Sequence, residues 1–269
     1  MKFKFLFVLA LSALMLNTSD ILGQETNTQE NGEAEREERR KIRLSDSLFN
    51  AGNADFRAGR YQDAIQKYTN ATNIRQDHKY YYQLGLAYSQ TRSFDKAIVS
   101  FQAANKIKPD FYLGFFGLGN TFLRMQQFDK AIENYKEARK DPTMVNRVDK
   151  IISEAYAGYA QKLYDEGLFK EAGEVIDDAQ DKHPDNPKLF LIAARVYNRL
   201  EKPDQAIDMA KKAIEVKKDQ KTGAEWFEIG VGNKKLSKFP EAREAFQKAA
   251  KDPLYARNAQ YELDSIKGR

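Results

Sequence analysis

Side chains that could carry out covalent or metal chemistry are scarce in this chain. Its 269 residues include no cysteine and two histidines, His78 and His183, which excludes disulfides, thiolate metal sites and cysteine catalysis. Neither histidine lies near a nucleophile in the sequence. Asp177, Asp178 and Asp181 are close together, but hard cations need several converging oxygen ligands, so we interpret them as a solvated acidic surface. The sequence therefore predicts a protein that is not an enzyme and that binds no cofactor or metal.

The charged residues are numerous and of mixed sign. Lysine and arginine total 44, and aspartate and glutamate total 39, which gives a net charge of +5 at pH 7. Because both signs are interspersed along nearly the whole chain, we expect no nucleic-acid partner. Apolar residues make up 42% of the chain, which is enough for a large domain or a repeat array with a buried core.

Residues 1–23 have the character of a secretory signal peptide. Two lysines precede an apolar run, Phe5–Leu16, that is too short to cross a bilayer. Cleavage after Gly23 predicts a periplasmic or secreted protein with no membrane span in the mature chain, and an uncleaved anchor is the alternative. Residues 24–44 form a charged segment that we interpret as a flexible spacer, with a helix allowed from about Glu33.

The rest of the chain consists of copies of a repeat. An alanine recurs at intervals of 33, 34, 41, 34 and 36 residues, a small residue precedes each of these alanines by twelve, and another alanine follows each by seven. Each copy has two amphipathic segments of about three turns joined by turn residues, which predicts a helical hairpin. One hairpin cannot bury its apolar face alone, so the hairpins must stack. The recurring alanines are Ala64, Ala97, Ala131, Ala172, Ala206 and Ala242.

This pattern resembles the tetratricopeptide repeat family over roughly residues 45–253. The second copy carries the family's residues as Tyr81, Leu84, Gly85, Tyr88, Ala97, Phe101, Ala104 and Pro109. The sixth copy carries them as Trp226, Ile229, Gly230, Ala242, Phe246, Ala249 and Pro253. Asn233 departs from the pattern, since an aromatic residue is usual there. The resemblance implies an all-α fold: a right-handed superhelical solenoid of about six hairpins and a C-terminal capping helix.

The copies predict the domain organisation. We expect repeats 1–3 over 45–145, an insert that acts as a hinge over 146–152, and repeats 4–6 over 153–253. The insert accounts for the 41-residue interval. A helix over 254–269 would cap the last hairpin, with a stripe made of Tyr255, Ala259, Leu263 and Ile266.

The resemblance also implies an inner surface, lined by the first helix of each repeat, where a peptide would bind. By position, the front repeats would contribute Phe49, Asn53, Arg57, Tyr82, Leu86, Phe116, Asn120 and Arg124. The rear repeats would contribute Lys188, Arg195, Arg199, Lys234 and Lys235. The asparagines would bind the peptide backbone, the aromatics would anchor apolar side chains, and the basic rear would favour an acidic segment. The alternative is that these side chains are partly core and partly an ordinary solvated surface.

The predicted function is a non-catalytic scaffold that binds peptide segments of partner proteins outside the cytoplasm. A second hypothesis is a structural envelope protein that self-associates through the exposed aromatics of repeats 2 and 3 and the charged N-terminal helix. A third is a saccharide-binding protein or enzyme whose aromatic side chains stack on sugar rings. No acid–base pair converges in the sequence, which weighs against this third hypothesis.

Overall fold

The computed structural model describes residues 32–180, 186–217 and 221–269, and every regular element within them is an α-helix. The predicted signal peptide, Asp181 and His183 lie outside the described residues. We number the helices in chain order: α1 (32–57), α2 (Tyr61–Ile74), α3 (His78–Gln90), α4 (Phe94–Ile107), α5 (Tyr112–Arg124), α6 (Phe128–Ala138), α7 (Val145–Asp165), α8 (Phe169–Gln180), α9 (Pro187–Arg199), α10 (Pro203–Lys217), α11 (Gly223–Lys235), α12 (Phe239–Ala249) and α13 (Ala256–Ser265). Consecutive helices pair as hairpins, and neighbouring hairpins stack within each of the two units described below, so the prediction of an all-α repeat fold is confirmed. Within the described ranges, no helix is both long enough and apolar enough to cross a bilayer.

The chain folds into two compact units, the first ending at Ile107 and the second beginning at Lys108. Unit 1 holds the hairpins α1–α2 and α3–α4, and unit 2 holds the four later hairpins and α13. This division differs from the predicted hinge, because residues 146–152 lie inside α7. That helix has 21 residues, against 13 in α5 and in α9. Val148 and Ile152 are buried, so the insert is a longer first helix with a packed face.

The first helix of unit 1 begins within the predicted spacer. Residues 32–44 are helical, and their charged side chains are exposed. Ser45 is the first fully buried residue of α1. The part of the predicted spacer from about Glu33, for which a helix was allowed, is therefore the beginning of α1.

Small residues allow the two helices of a hairpin to approach closely. All twelve alanines of the two recurring columns are fully buried. A Cβ atom added at Gly52, Gly85, Gly119 or Gly230 would lie 2.5–2.7 Å from a ring carbon of the second helix of the same hairpin. The rings belong to Tyr68, Phe101, Tyr135 and Phe246. The first helix therefore packs its backbone directly against an aromatic ring.

Every hairpin turn has the same backbone geometry. The residue five positions before the recurring alanine has a φ between 56° and 79°, and the next amide donates to a carbonyl five residues earlier at 2.8–3.0 Å. This is a Schellman motif, which closes the end of each first helix. Glycine provides the left-handed residue in only two of the six turns. The six residues are Gly59, Arg92, Gln126, Gly167, Glu201 and Ser237.

The last helix covers the apolar end of unit 2. Ala259 of α13 and Ile266, which directly follows this helix, are fully buried in a cluster with Ala242, Phe246 and Ala249 of α12. Tyr255 and Leu263 pack against the same cluster. All four residues of the predicted stripe therefore contact the last hairpin.

Candidate functional site

A cleft of about 580 Å³ lies between the first helices of unit 1, α1 and α3. We call it the α1–α3 cleft. Three of the five residues predicted for the inner surface of this unit line it, namely Asn53, Arg57 and Leu86. The complete lining is Asn50, Asn53, Phe56, Arg57, Gln83 and Leu86. The lining combines three amides, one cation and two apolar side chains, which suits a peptide backbone with an apolar side chain.

The Asn53 amide is held in one orientation by the second helix. The Tyr68 hydroxyl donates to Asn53 Oδ1 at 2.7 Å. Tyr68 is fully buried, and burial raises its pKa to about 12, so the hydroxyl remains a donor at neutral pH. Because Oδ1 is occupied, Asn53 presents its Nδ2 hydrogens to a ligand. Unit 2 repeats the arrangement, since the Tyr135 hydroxyl donates to Asn120 Oδ1 at 2.7 Å.

The aromatic side chains predicted as ligand anchors pack inside their own hairpins. Phe49, Tyr82 and Phe116 each lie 5.7–5.8 Å, centroid to centroid, from an aromatic ring of the adjacent second helix. Phe49 also stacks on Tyr80 at 4.8 Å. Only 4% of the Phe116 surface is exposed, so the structure corrects its assignment to a binding surface. Phe49 and Tyr82 are half-buried and are held by the same packing.

The basic residues of α11 are neutralised within the fold. Lys234 Nζ lies 2.6 Å from Glu262 Oε2 of α13 and donates to Ser265 Oγ at 2.8 Å. Lys235 Nζ lies 2.6 Å from Glu201 Oε1 and donates to the Asn198 carbonyl oxygen at 2.7 Å. Both lysines therefore tie α11 to neighbouring elements, and they do not form the free basic surface that was predicted.

The three basic residues of α9 have different surroundings. Arg195 Nε is 3.7 Å from Glu228 Oε1, and its Nη2 donates to the Tyr255 hydroxyl at 3.0 Å. The Arg199 guanidinium lies 4.5 Å from the Phe169 ring centroid. The Lys188 side chain is exposed, as is that of Arg124 on α5. With Arg195 also paired to a carboxylate, three of the five basic residues predicted for the rear surface have an acidic partner within the fold.

Glu228 is a carboxyl on this surface whose side chain is 13% exposed. Its pKa is raised mainly by desolvation, and a hydrogen bond from Asn198 and the charge of Arg195 oppose that shift. Asn198 Nδ2 donates to Glu228 Oε2 at 2.9 Å. The carboxyl is therefore a structural group between α9 and α11 whose ionisation the fold disfavours.

The aspartates of α8 stabilise packing. Asp177 accepts a hydrogen bond from the Tyr197 hydroxyl at 2.6 Å. Asp178 accepts one from Tyr156 at 2.6 Å and pairs with Lys136 at 2.7 Å. Among the described residues, no three histidine or carboxylate side chains are grouped so that they could hold a metal ion.

The sequence missed three residues of the α1–α3 cleft: Asn50, Phe56 and Gln83. A usable signal was present, because Asn50 and Gln83 each lie three positions before a residue that was assigned to the inner surface. Residues three apart occupy the same face of a helix. Extending each assigned residue by one turn would have found both amides.

Comparisons with known proteins agree with the helical repeat. Models of the tetratricopeptide repeat match residues 78–111, 116–187 and 187–220, just over half of the chain. None of the curated proteins matches it.

Several solved structures share the fold. The C-terminal part of a TPR repeat-containing protein from Cytophaga hutchinsonii superposes with a TM-score of 0.54 at 15% identity, covering 81% of this chain and 95% of that one. YrrB, described as a TPR protein with an unusual peptide-binding site, gives 0.51 at 15% identity, with 72% and 97% covered. A mutant of MamA gives 0.50 at 21% identity, with 66% and 94% covered. At these identities the similarity shows the fold alone.

Proposed function

Because this chain belongs to the tetratricopeptide repeat family, we propose that it is a protein–protein interaction scaffold that binds a peptide segment of a partner in the α1–α3 cleft. The observation that carries the proposal is the fixed Asn53 amide in a cleft otherwise lined by polar and apolar side chains. A pre-oriented amide loses little side-chain entropy on binding, so its hydrogen bond to a peptide carbonyl contributes more of its energy to affinity.

The cleft offers three kinds of contact to such a peptide. Asn53, Asn50 and Gln83 provide amides that match the donors and acceptors of a peptide backbone. Phe56 and Leu86 provide an apolar surface for one side chain. Arg57 is exposed at the edge of the cleft and favours a carboxylate or carbonyl group there.

We place this activity outside the cytoplasm. The support is the sequence of residues 1–23, which has the basic start and the short apolar run of a secretory signal peptide. Sequencing the N-terminus of the protein from its native cell fraction tests this location. A mature chain that begins at Gln24 supports it, and an intact Met1 terminus in the cytoplasmic fraction refutes it.

Peptide selection tests the binding function. A random peptide library displayed on phage is panned against the full chain, and selected peptides are titrated by calorimetry. Asn53→Asp keeps the acceptor for Tyr68 but removes the Nδ2 donor, so affinity should fall about tenfold. Arg57→Glu changes an exposed side chain of the cleft and should alter which peptides bind.

The matched control is Val99→Glu. Val99 is 64% exposed on α4, a second helix of the same unit, and it does not line the cleft. Its substitution should leave affinity unchanged. Equal affinities for the Asn53→Asp, Arg57→Glu and control variants would show that the peptide does not bind in the α1–α3 cleft.

A further inference from the structure

Two first helices of unit 2, α9 and α11, are joined by an amide and a carboxyl. Asn198 of α9 is 3% exposed, and its Nδ2 donates to two oxygens of Glu228 on α11, the backbone carbonyl at 3.1 Å and Oε2 at 2.9 Å. We call these two residues the α9–α11 joint. The joint lies in unit 2, whereas the peptide cleft lies in unit 1. An inference about it is therefore independent of the proposed function.

The oxygen of the Asn198 amide has no partner. Among the described residues, no group donates a hydrogen bond to the buried Oδ1 atom. The orientation of the amide is fixed, because Nδ2 already faces two acceptors and a reversed amide would bring Oδ1 against both of them. A buried acceptor without a donor destabilises the fold. The joint therefore lacks one donated hydrogen.

Glu228 can supply this hydrogen when it is protonated. An ionised carboxyl only accepts hydrogen bonds, whereas a protonated carboxyl also donates through its O–H group. Nδ2 and Oδ1 belong to the same planar amide, so a carboxyl that accepts from Nδ2 lies beside Oδ1. Desolvation raises the pKa of Glu228, against the opposing effects of the Asn198 hydrogen bond and the Arg195 charge. Burial therefore favours the form of the carboxyl that can donate.

The charged groups around the joint are paired. Arg195 of α9 lies 3.7 Å from Glu228 Oε1 through its Nε, and its Nη2 donates to the Tyr255 hydroxyl. The charge of Arg195 lowers the pKa of the carboxyl. The other pairs on the elements next to the joint are Lys235 with Glu201 of the turn between α9 and α10, Glu225 with Lys217 of α10, Lys234 with Glu262 of α13, and Lys248 with Glu244 on α12.

We propose that the α9–α11 joint is a pH-sensitive switch, in which Glu228 takes up a proton from water and donates it in a hydrogen bond to Asn198 Oδ1. The protonated joint then has two complementary hydrogen bonds, since Nδ2 donates to one carboxyl oxygen and the other carboxyl oxygen donates to Oδ1. Acidification therefore fastens α9 to α11. When Glu228 loses the proton, Oδ1 loses its donor and the two helices separate more easily.

The pH range of the switch follows from the direction of the pKa shift. Because the folded-state pKa of Glu228 is raised above the ordinary value of 4.5, the extra stability is present at low pH. It is lost as the pH rises through the folded-state pKa. The switch therefore operates above pH 4.5.

Hydrogen exchange read by mass spectrometry tests the switch in the full chain. Exchange of the α9 and α11 amides is compared at about pH 5 and about pH 7.5, after correction for the intrinsic effect of pH on the exchange rate. The corrected exchange should be about fivefold slower at the lower pH, because one net hydrogen bond changes an opening equilibrium by roughly that factor. Equal corrected rates at the two pH values would overturn the proposal.

Glu228→Gln should hold the joint closed at both pH values. A glutamine amide donates to Oδ1 and accepts from Nδ2 as the protonated carboxyl does, but it does not titrate. Its exchange should therefore be slow throughout. Glu215→Gln on α10 is the matched control, because Glu215 is an exposed carboxyl, and it should keep the wild-type response to pH. A wild-type response in Glu228→Gln would refute the switch.

Asn198→Leu distinguishes the switch from burial of the carboxyl alone. Leucine is similar in size and has no acceptor, so the slowing of exchange at low pH should shrink. If burial alone caused the response, this substitution would enlarge it, because it removes the hydrogen bond that stabilises the ionised form. An unchanged or larger response would refute the role of Asn198 Oδ1. If this variant does not fold, the response of Glu228→Gln decides the question.

Discussion

Three hairpin turns should become more stable when the residue in the left-handed conformation is replaced by glycine. Arg92, Gln126 and Ser237 have φ angles of 60°, 57° and 60°. This conformation costs a non-glycine residue about 1–2 kcal/mol because of contacts of its Cβ atom. Glycine removes that cost but loses roughly 0.5–1 kcal/mol through its greater freedom in the unfolded chain. Each substitution should therefore stabilise the fold by about 0.5–1 kcal/mol.

The three gains should add. The turns belong to three different hairpins, and distant sites without shared partners are additive within about 0.5 kcal/mol. The triple variant should gain about 2 kcal/mol in total. Thermal unfolding followed by circular dichroism measures this, and each single change should raise the midpoint by roughly 1–4 °C.

Two other turns provide controls of opposite kind. Gly167 has a φ of 79°, so Gly167→Ala should lower the midpoint by a similar amount. Glu201 is also left-handed, with a φ of 56°, but it pairs with Lys235. Glu201→Gly should gain less than the other three, because it also removes this ion pair. If Gln126→Gly and Ser237→Gly lower the midpoint, the assignment of backbone strain to these turns is wrong.

Three further changes test packing and charge. Glu228→Gln should raise the free energy of unfolding at neutral pH, because the folded-state pKa of Glu228 is raised above its ordinary value of 4.5. The stability that the protonated carboxyl contributes is present at low pH and is lost as the pH rises through the folded-state pKa. In urea titrations, the advantage of the variant over the wild type should therefore shrink as the pH falls towards 4.5. Gly85→Ala would place a Cβ atom 2.7 Å from a ring carbon of buried Phe101 and should cost about 1–3 kcal/mol in the same titration. Lys234→Glu would place a second carboxylate beside Glu262, and the repulsion should weaken the packing of α13. Limited proteolysis should then cleave the C-terminal end faster than in the wild type. An unchanged cleavage rate would show that this ion pair does not hold the helix.

The hairpins could be predicted from the sequence because their packing is local. An alanine such as Ala97 is fully buried, so the requirement for a small side chain recurs at a fixed spacing. The left-handed turn residue recurs at the same spacing, yet its identity varies from Gly59 to Arg92 and Gln126. The backbone hydrogen bonds of the turn set its conformation. Many residue types can adopt this left-handed conformation at a cost in free energy. No residue type marks the position.

The inner surface was predicted only in part because it depends on helix rotation. Phe49 and Tyr82 were chosen as anchors, but the adjacent residues Asn50 and Gln83 line the cleft. Neighbouring residues point about 100° apart on a helix, so an offset of one residue exchanges a ring packed within the hairpin for a group that faces the cleft. Phe116 shows the consequence in unit 2, where the ring is buried.

The pairing of the basic residues of α11 could not be predicted, because their partners are distant in sequence. Lys234 meets Glu262, 28 residues later, and Lys235 meets Glu201, 34 residues earlier. Counting basic residues along the first helices therefore predicted an acidic ligand, although Lys234 and Lys235 are already paired with carboxylates. Charges of both signs also meet on the second helices, where Asp204 and Glu241 line one cleft together with Lys211 and Lys238.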